Sequence, residues 1–177
     1  KATPAITWST PSAIVYGTAL SATQLNATAG EVAGNFNYTP ASGTVLNAGT
    51  NTLSVTFTPT DSANYNNVTQ AASITVSQAP LTIAADPKTK VYGAADPAFT
   101  ATYTGFRNSE TIGVIDTLAT LSTTANAGSP IGNYAISGTG AVDNNYNYVY
   151  TNGVFAIVLD SSVPPPPPPP TPTPTPV

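Results

Sequence analysis

The side chains that could carry out chemistry are few in this chain. Its 177 residues include no histidine and no cysteine, so thiol nucleophiles, Ser-His-Asp triads and the usual zinc sites are excluded. The eight acidic residues stand singly, often in turn-like segments such as Asp96-Pro97 and Asp143-Asn144, whereas a glycosidase needs two carboxylates that face each other. Turn capping explains scattered acids of this kind better than catalysis does. We therefore expect that the protein is not an enzyme.

Metal sites and covalent cross-links have equally little support. Calcium binds six to eight oxygen ligands, and Asp86 and Asp160 could lie near the ends of structural units, but the chain has no spaced Asp-x-Asp-x-Asp loop. A Lys-Asn isopeptide bond would need a buried lysine beside an acid, and Lys88 and Lys90 stand in a polar segment that is typical of a solvated turn. The expectation is a protein with no metal ion, no cofactor and no such cross-link.

Charge is scarce, and this limits the classes of partner. Charged residues make up 7% of the chain, against roughly 25% in an ordinary soluble domain. Four basic residues and a net charge of −4 leave no basic stripe for phosphates, so nucleic acid is not an expected partner. No run approaches the roughly 20 apolar residues that span a bilayer, so membrane insertion is not expected. A surface of hydroxyl and amide groups suits crowded assembly or glycan decoration.

Two motifs occur twice and in the same order. Val15-Tyr16-Gly17 returns as Val91-Tyr92-Gly93, and Asn64-Tyr65-Asn66 returns as Asn145-Tyr146-Asn147. A repeat of matched landmarks at an offset of about 80 residues indicates two tandem copies of one unit. We expect the tyrosines of each motif pair to be equivalent, and all four to be largely buried.

The apolar pattern between these motifs has the period of β-strands. In residues 52–58 the apolar side chains alternate with hydroxyl-bearing ones, as in an antiparallel sheet with one solvated face. Asn152-Gly153, between residues 148–151 and residues 154–156, is the strongest hairpin signal in the chain. Many short strands with frequent turns are typical of a β-sandwich.

Stretches of both halves resemble known surface-protein repeats. The stretches that resemble the immunoglobulin-like repeats of large bacterial surface proteins are residues 5–8, 14–20, 38–49 and 53–61. Those that resemble the MBG type of module from bacterial adhesins are residues 81–83, 90–97, 103–106, 144–146 and 152–153. The resemblance covers essentially residues 4–159. It implies an extracellular, multi-repeat, adhesin-like parent protein and transfers no catalytic residue.

The expected fold class is all-β, with two tandem immunoglobulin-like β-sandwich modules followed by a polyproline II tail. We place the first module at residues 1–79, the second, of MBG type, at residues 80–163, and the proline- and threonine-rich tail at residues 164–177. The junction around residues 77–80 is too short for a flexible tether, so the modules should form a rigid rod. Consecutive prolines fix φ and favour polyproline II in the tail.

Contacts with partners are expected at an aromatic stripe, an apolar strand and the tail. The tyrosines of residues 146–150 alternate and so share one face, where glycan stacking, a protein interface and plain core packing all stay open. Residues 154–159 are apolar on both faces, which indicates burial against the neighbouring module or another subunit. The candidate interface residues are Tyr146, Tyr148, Tyr150, Phe155, Ile157, Pro164, Pro167 and Pro170.

The tail has two interpretations. It could be a solvated linker, or it could dock against a neighbouring copy, since proline rods favour aromatic-lined grooves. Its threonines between prolines are candidate O-glycosylation sites; they are Thr171, Thr173 and Thr175.

The function expected from the sequence is structural and non-catalytic: an extracellular or cell-surface segment that builds a filament or an adhesin stalk. Its partners would be other copies of itself or neighbouring repeats of a longer chain, with glycans as a further class. The alternative is a carbohydrate-binding module joined to a secreted enzyme by a Pro-Thr linker. Exposure of the tyrosine stripe on a flat face would favour this alternative, and coverage by protein would weigh against it.

Overall fold

The computed structural model describes residues 1–160, and apart from one short 3-10 turn its regular elements are strands. The all-β expectation is therefore confirmed. The strands are β1 (Ile14–Val15), β2 (Gly34–Thr39), β3 (Gly49–Pro59), β4 (Val68–Ser77), β5 (Ala79–Ala85), β6 (Lys88–Val91), β7 (Ala101–Thr104), β8 (Thr120–Thr123), β9 (Gly132–Thr139), β10 (Tyr146–Thr151) and β11 (Gly153–Val158), and the 3-10 turn is Ile112–Val114.

The N-terminal half, residues 1–78, contains one sheet with the strand order β1-β4-β3-β2. Strands β2, β3 and β4 pair antiparallel, and the short β1 runs parallel to the end of β4. The alternation predicted for β3 is confirmed, because Leu53, Val55 and Phe57 are each 0% exposed. Its hydroxyl-bearing residues point to the more accessible face, as expected for a strand with one face against the core.

The C-terminal half, residues 79–160, contains two sheets. In the first, β5 lies between β10, which is parallel to it, and β7, which is antiparallel. In the second, β11 lies between the parallel β6 and the antiparallel β9, and β8 completes the sheet beside β9.

The pairing of the two halves follows the same scheme. Strand β1 runs parallel to β4 as β6 does to β11, and β2 pairs with β3 as β8 does with β9. A parallel bridge joins Ala2 to Tyr65, just as Ala79 at the start of β5 pairs with Tyr146. The backbone N–H of Tyr16 donates to the Ser77 carbonyl at 2.8 Å, and that of Tyr92 donates to the Val158 carbonyl at 2.9 Å. The tyrosines are thus equivalent in register, as their repeated motifs predicted.

One loop breaks this correspondence. In the N-terminal half, Thr28 forms a bridge with Thr7 that corresponds to the pairing of Thr102 with Ala84 between β7 and β5. Only residues 29–33 separate Thr28 from β2, whereas residues 105–119 separate β7 from β8. The long loop, residues 105–119, is therefore specific to the C-terminal half.

The larger hydrophobic core is continuous between the two halves. It joins Trp8, Leu53 and Ile74 of the N-terminal half to Leu81 and Tyr146 of the C-terminal half. A second, smaller cluster lies entirely within the C-terminal half and is formed by Ala85, Ala125, Ile136, Phe155 and Ile157. The two halves therefore share apolar packing as well as a chain connection.

Strand β11 differs from the expectation of a strand buried on both faces. Phe155 and Ile157 are 0% and 1% exposed inside the smaller core, so another subunit cannot contact them as predicted. Val154 and Val158, on the opposite face, are exposed. The strand is an ordinary alternating strand whose outward residues happen to be valines.

The hairpin predicted at Asn152-Gly153 is wrong. These residues connect β10 to β11, and the two strands belong to different sheets. Gly153 serves close packing, because a Cβ atom added there would lie 2.5 Å from the Ala85 carbonyl oxygen. The dipeptide resembles a turn signal, but the glycine is required by the approach of β5.

The solvated turn predicted around Lys90 is also wrong. Lys90 belongs to β6, is buried, and its Nζ donates to the Asp96 carboxylate at 2.6 Å and to the Asn126 carbonyl at 3.3 Å. Its ammonium group also lies 5.6 Å from the centre of the Phe155 ring. The lysine is tolerated in the smaller core because each of these contacts compensates part of its desolvation.

The Gly153→Ala variant should be clearly destabilised. The new methyl group would overlap the Ala85 carbonyl, and overpacking of this kind costs about 1–3 kcal/mol. Gly113→Ala is the matched control, since the nearest atom to a Cβ there is the Thr111 Oγ1 at 3.8 Å. Thermal unfolding of both variants checks this, and equal melting temperatures would contradict the packing argument.

Candidate functional site

The connection between the two halves is part of the sheet structure. Strand β4 ends at Ser77 and β5 begins at Ala79, so Gln78 alone separates them. Ala79 is 0% exposed and its N–H donates to the Asn145 carbonyl at 2.9 Å. The side-chain amide of Gln78 donates to the Asn144 carbonyl at 3.1 Å. A connection that is hydrogen-bonded on both sides and anchored by the buried Ala79 leaves little freedom for bending.

A single carboxylate joins the two halves at this point. The hydroxyl of Tyr16 donates to Oε1 of Glu110, and the hydroxyl of Tyr146 donates to Oε2 of the same residue, both at 2.5 Å. The Tyr146 hydroxyl also accepts a hydrogen bond from the Arg107 N–H at 2.8 Å. We call Tyr16, Glu110 and Tyr146 the tyrosine clamp.

Aromatic packing surrounds the clamp. The rings of Tyr16 and Tyr146 meet edge to face, with centroids 5.5 Å apart and planes at 84°. Phe106 packs against the other side of Tyr146 in a similar arrangement, with centroids 5.8 Å apart. Edge-to-face pairs of this geometry add about 0.5–1.5 kcal/mol beyond the area they bury. Tyr16 is 6% exposed and Tyr146 is 1% exposed.

The long loop places Glu110 by a tight turn. Asn108 and Ser109 adopt positive φ values of 52° and 60°, and the Glu110 N–H donates to the Arg107 carbonyl at 2.9 Å. Left-handed backbone is uncommon for residues other than glycine. The turn returns the chain toward Tyr16, which brings the carboxylate to both phenols.

Gly17 allows the loop to approach the N-terminal half. Its φ is +94°, and a Cβ atom there would lie 2.8 Å from both Cβ and Cγ of Arg107. The equivalent Gly93 has φ +82°, and no atom of residues 1–160 lies within 4 Å of the same position. Both glycines therefore permit a left-handed turn after the tyrosine, but only Gly17 is also in close contact with another part of the chain.

Burial and the neighbouring Glu110 raise the pKa of both phenols in the clamp. Burial, together with the hydrogen bond to Glu110 and its negative charge, raises the pKa of Tyr16 to about 12. Burial and Glu110 also raise the pKa of Tyr146 to about 12, against the opposing effect of the Arg107 N–H. At neutral pH both phenols are protonated and act as donors to the carboxylate.

Amide side chains form the rim of the same junction. The Oδ1 of Asn145 accepts a hydrogen bond from the Ala48 N–H at 2.9 Å, and its Nδ2 donates to the Asn47 Oδ1 at 3.4 Å. The first asparagine of the second Asn-Tyr-Asn motif thus also connects the two halves. Beside it lies a cleft of about 660 Å³, lined by Asn47, Ala48, Gly49, Val76, Gln78, Asp116, Asp143, Asn144 and Asn145.

The predicted tyrosine stripe is divided among several environments. Tyr146 belongs to the clamp, while Tyr148 and Tyr150 are half-buried, with ring centroids 6.3 Å apart. The Tyr150 hydroxyl accepts a hydrogen bond from the Ala141 N–H at 2.9 Å. Burial, with a contribution from the charge of Asp143, raises the pKa of Tyr148 to about 12. The stripe is not a flat exposed face.

Of the four motif tyrosines, the sequence expectation is confirmed for Tyr16 and Tyr146 and wrong for Tyr92. Tyr92 is 54% exposed, and Tyr65 is half-buried. Sequence reasoning also missed Glu110, since an isolated acid in a loop carries no motif. The available signal was that acidic residues are rare in this chain, which has only eight of them.

Several predicted residues cannot be placed. Pro164, Pro167, Pro170, Thr171, Thr173 and Thr175 lie outside the described residues. Within residues 1–160, no group of three or more His, Cys, Asp or Glu side chains could hold a metal ion. The same part of the chain contains no helix of the length and apolar character needed to cross a bilayer.

Part of the chain matches a known family model. Residues 81–156 match the family model of the MBG domain (YGX type), and Tyr92-Gly93-Ala94 stands inside this range as a Tyr-Gly-X sequence. The match supports an MBG-type unit in the C-terminal half, a surface-associated kind of repeat domain that is consistent with a non-catalytic structural role. None of the curated proteins compared with the chain is similar to it.

Alkaline pH should open the clamp. The phenols of Tyr16 and Tyr146 have an ordinary pKa of 10.0 and a folded-state pKa of about 12. Their contribution to stability is therefore complete below about pH 10 and is lost as the pH rises through about 12. Melting temperature and tyrosinate absorbance against pH check this. Glu110→Gln should move the loss to lower pH, and an unchanged alkaline transition in that variant would contradict the role given to Glu110.

Truncation of equivalent tyrosines should have unequal effects. Tyr146→Ala removes a fully buried ring and should cost about 3–5 kcal/mol of unfolding free energy. Tyr65→Ala, at the equivalent position of the N-terminal half, should cost distinctly less because that ring is only half-buried. Chemical denaturation of both variants measures the difference. Equal losses would mean that the junction adds nothing to the environment of Tyr146.

Proposed function

We propose that this chain is a structural, non-catalytic segment of an extracellular filament or adhesin stalk, built from two tandem immunoglobulin-like β-sandwich modules. The first module is residues 1–79, the second is residues 80–163, and residues 164–177 act as a rigid spacer or an inter-subunit contact. The observation that carries this proposal is the junction, where a shared core and the tyrosine clamp connect the two halves.

The junction supports a load-transmitting role for a physical reason. Domains joined by small polar interfaces normally move relative to each other, unless the interface is large and apolar. Here Gln78 is the single residue between β4 and β5, and the residues on both sides are paired in sheets. Bending at this point would break the clamp and expose part of the larger core. A stalk needs such resistance to bending, whereas a module that only has to bind a ligand does not.

The composition agrees with an exposed repeat. The MBG match at residues 81–156 fits a bacterial surface protein made of repeated domains. Charged residues make up only 7% of the chain, so the fold depends little on interactions that salt screens. Partners in this proposal are other copies of the chain or neighbouring repeats.

The alternative of a carbohydrate-binding module on a secreted enzyme has less support. It depended on a flat and exposed stripe, and Tyr148 and Tyr150 are instead half-buried. The cleft beside Asn145 is polar, and none of the described residues that line it is an aromatic on which a sugar ring could stack. We therefore retain the structural role.

The rigidity of the junction can be measured directly, because the chain has no cysteine. Spin labels attached at Ser73→Cys and Ser122→Cys, two exposed positions in different halves, should give a single narrow distance distribution. Inserting two glycines after Gln78 should broaden it, and Glu110→Ala should do so to a smaller extent. A broad distribution in the doubly labelled protein without these changes would contradict the rigid-spacer function.

Salt should not loosen the junction. The contacts described above between the halves are phenol–carboxylate hydrogen bonds, amide hydrogen bonds and aromatic packing. The narrow distance distribution should persist in about 1 M sodium chloride, where the Debye length is only about 3 Å. Broadening with salt would mean that long-range charge interactions hold the halves together.

A further inference from the structure

One end of the C-terminal half repeats a surface that is covered elsewhere in the same chain. Val91 pairs with Val158 as Val15 pairs with Ser77, and in both cases a Tyr-Gly turn follows. We call the surface formed by Val91, Tyr92, Gly93, Val158 and Leu159 the Tyr92 end.

The two equivalent surfaces differ in what covers them. At the junction, Glu110 and Tyr146 contact Tyr16, which is 6% exposed, and Arg107 lies against the adjacent Gly17. At the Tyr92 end no part of the described chain plays this role, and Tyr92 is 54% exposed. Leu159 is 72% exposed beside it. A phenol with adjacent aliphatic side chains, held in the same backbone register as Tyr16, is thus left open.

The contacts around Tyr16 at the junction indicate what kind of element would cover Tyr92. It supplies an aromatic ring edge to face with the tyrosine, and a carboxylate that accepts its hydroxyl. Both Tyr146 and Glu110 come from the C-terminal half, and Glu110 lies on the long loop that the N-terminal half lacks. A second copy approaching with the free end of its N-terminal half would bring Tyr65 but no counterpart of Glu110.

We propose that the Tyr92 end is a docking surface for a further YGX-type module, whose long-loop carboxylate accepts a hydrogen bond from the Tyr92 hydroxyl. Residues 160–177 do not repeat the β5 sequence of residues 79–85. The docking module therefore does not follow Leu159 directly as Ala79 follows Gln78, and it is one in which the equivalents of Glu110 and Tyr146 are not already engaged. This inference rests on the proposed function and specifies its partner.

The test uses a second copy of residues 79–159 as the probe. In an extended chain, residues 1–159 are followed directly by residues 79–177, so the added unit begins after Leu159 as Ala79 begins after Gln78. Covalent connection supplies the module at high effective concentration. Nitration by tetranitromethane, read by peptide mass spectrometry, reports the accessibility of each tyrosine in the original and extended chains.

We expect nitration of Tyr92 to fall roughly ninefold in the extended chain, which is the ratio of its 54% exposure to the 6% exposure of Tyr16. Glu110→Gln in the added copy should restore much of this reactivity. The same substitution in the original copy should leave Tyr92 protected and instead increase the reactivity of Tyr16. Protection of Tyr16 in the extended chain verifies that the original junction is still folded.

Two results would overturn the proposal. One is a Tyr92 that is as reactive in the extended chain as in the original chain while Tyr16 stays protected. The other is protection of Tyr92 in the original chain at high protein concentration, which would identify a second copy as the occupant. The spin-label distances between residues 73 and 122 are independent of both results, so a failure of the rigid-spacer function would be recognised separately.

Discussion

The structure depends on one carboxylate that two phenols from different halves share. Hydrogen bonds to a charged group contribute about 1.5–3 kcal/mol each, and Glu110 accepts one from Tyr16 and one from Tyr146. A domain of about 80 residues buries only a little over about 60% of its unfolded surface and is marginal unless something reinforces it. With no cysteine in the chain, disulfides cannot do this. The clamp and the continuous core let each half stabilise the other.

Local sequence patterns predicted the strands well, but they predicted poorly which residues are buried and which elements pack against each other. The alternation in β3 was predictable because side chains along a strand point to opposite faces. The equivalence of Tyr16 with Tyr92 followed from the repeat itself. Their degree of burial did not follow from the repeat: Tyr16 is buried, whereas Tyr92 is exposed. Burial depends on what packs against a residue, and the repeat does not specify this. The hairpin predicted at Asn152-Gly153 was wrong for a related reason. Gly153 accommodates the Ala85 carbonyl from β5, and this contact is between residues distant in sequence.

The charged residues were the hardest to predict. Lys90 stands among polar neighbours in sequence, yet β6 pairs with β11 and carries it over the Phe155 ring. Glu110 lies in a loop without a motif, and its role depends on Tyr16, which is 94 residues away. Lys90 and Glu110 each have specific hydrogen-bond partners. The few charged residues therefore indicated the residues that hold the core and the junction together better than the repeated motifs did.

The choice of partners at the clamp has consequences for the conditions in which the protein can work. A salt bridge between the halves would be weakened by salt, and one with histidine would respond to mildly acidic pH. A phenol donor instead stays protonated until strongly alkaline pH, and burial moves the pKa of Tyr16 and Tyr146 further from neutrality, to about 12. The carboxylate is held by two neutral donors, so no second charge has to be desolvated at the junction. Such a junction is insensitive to salt and to pH below about 10, which agrees with the rigid structural role proposed above.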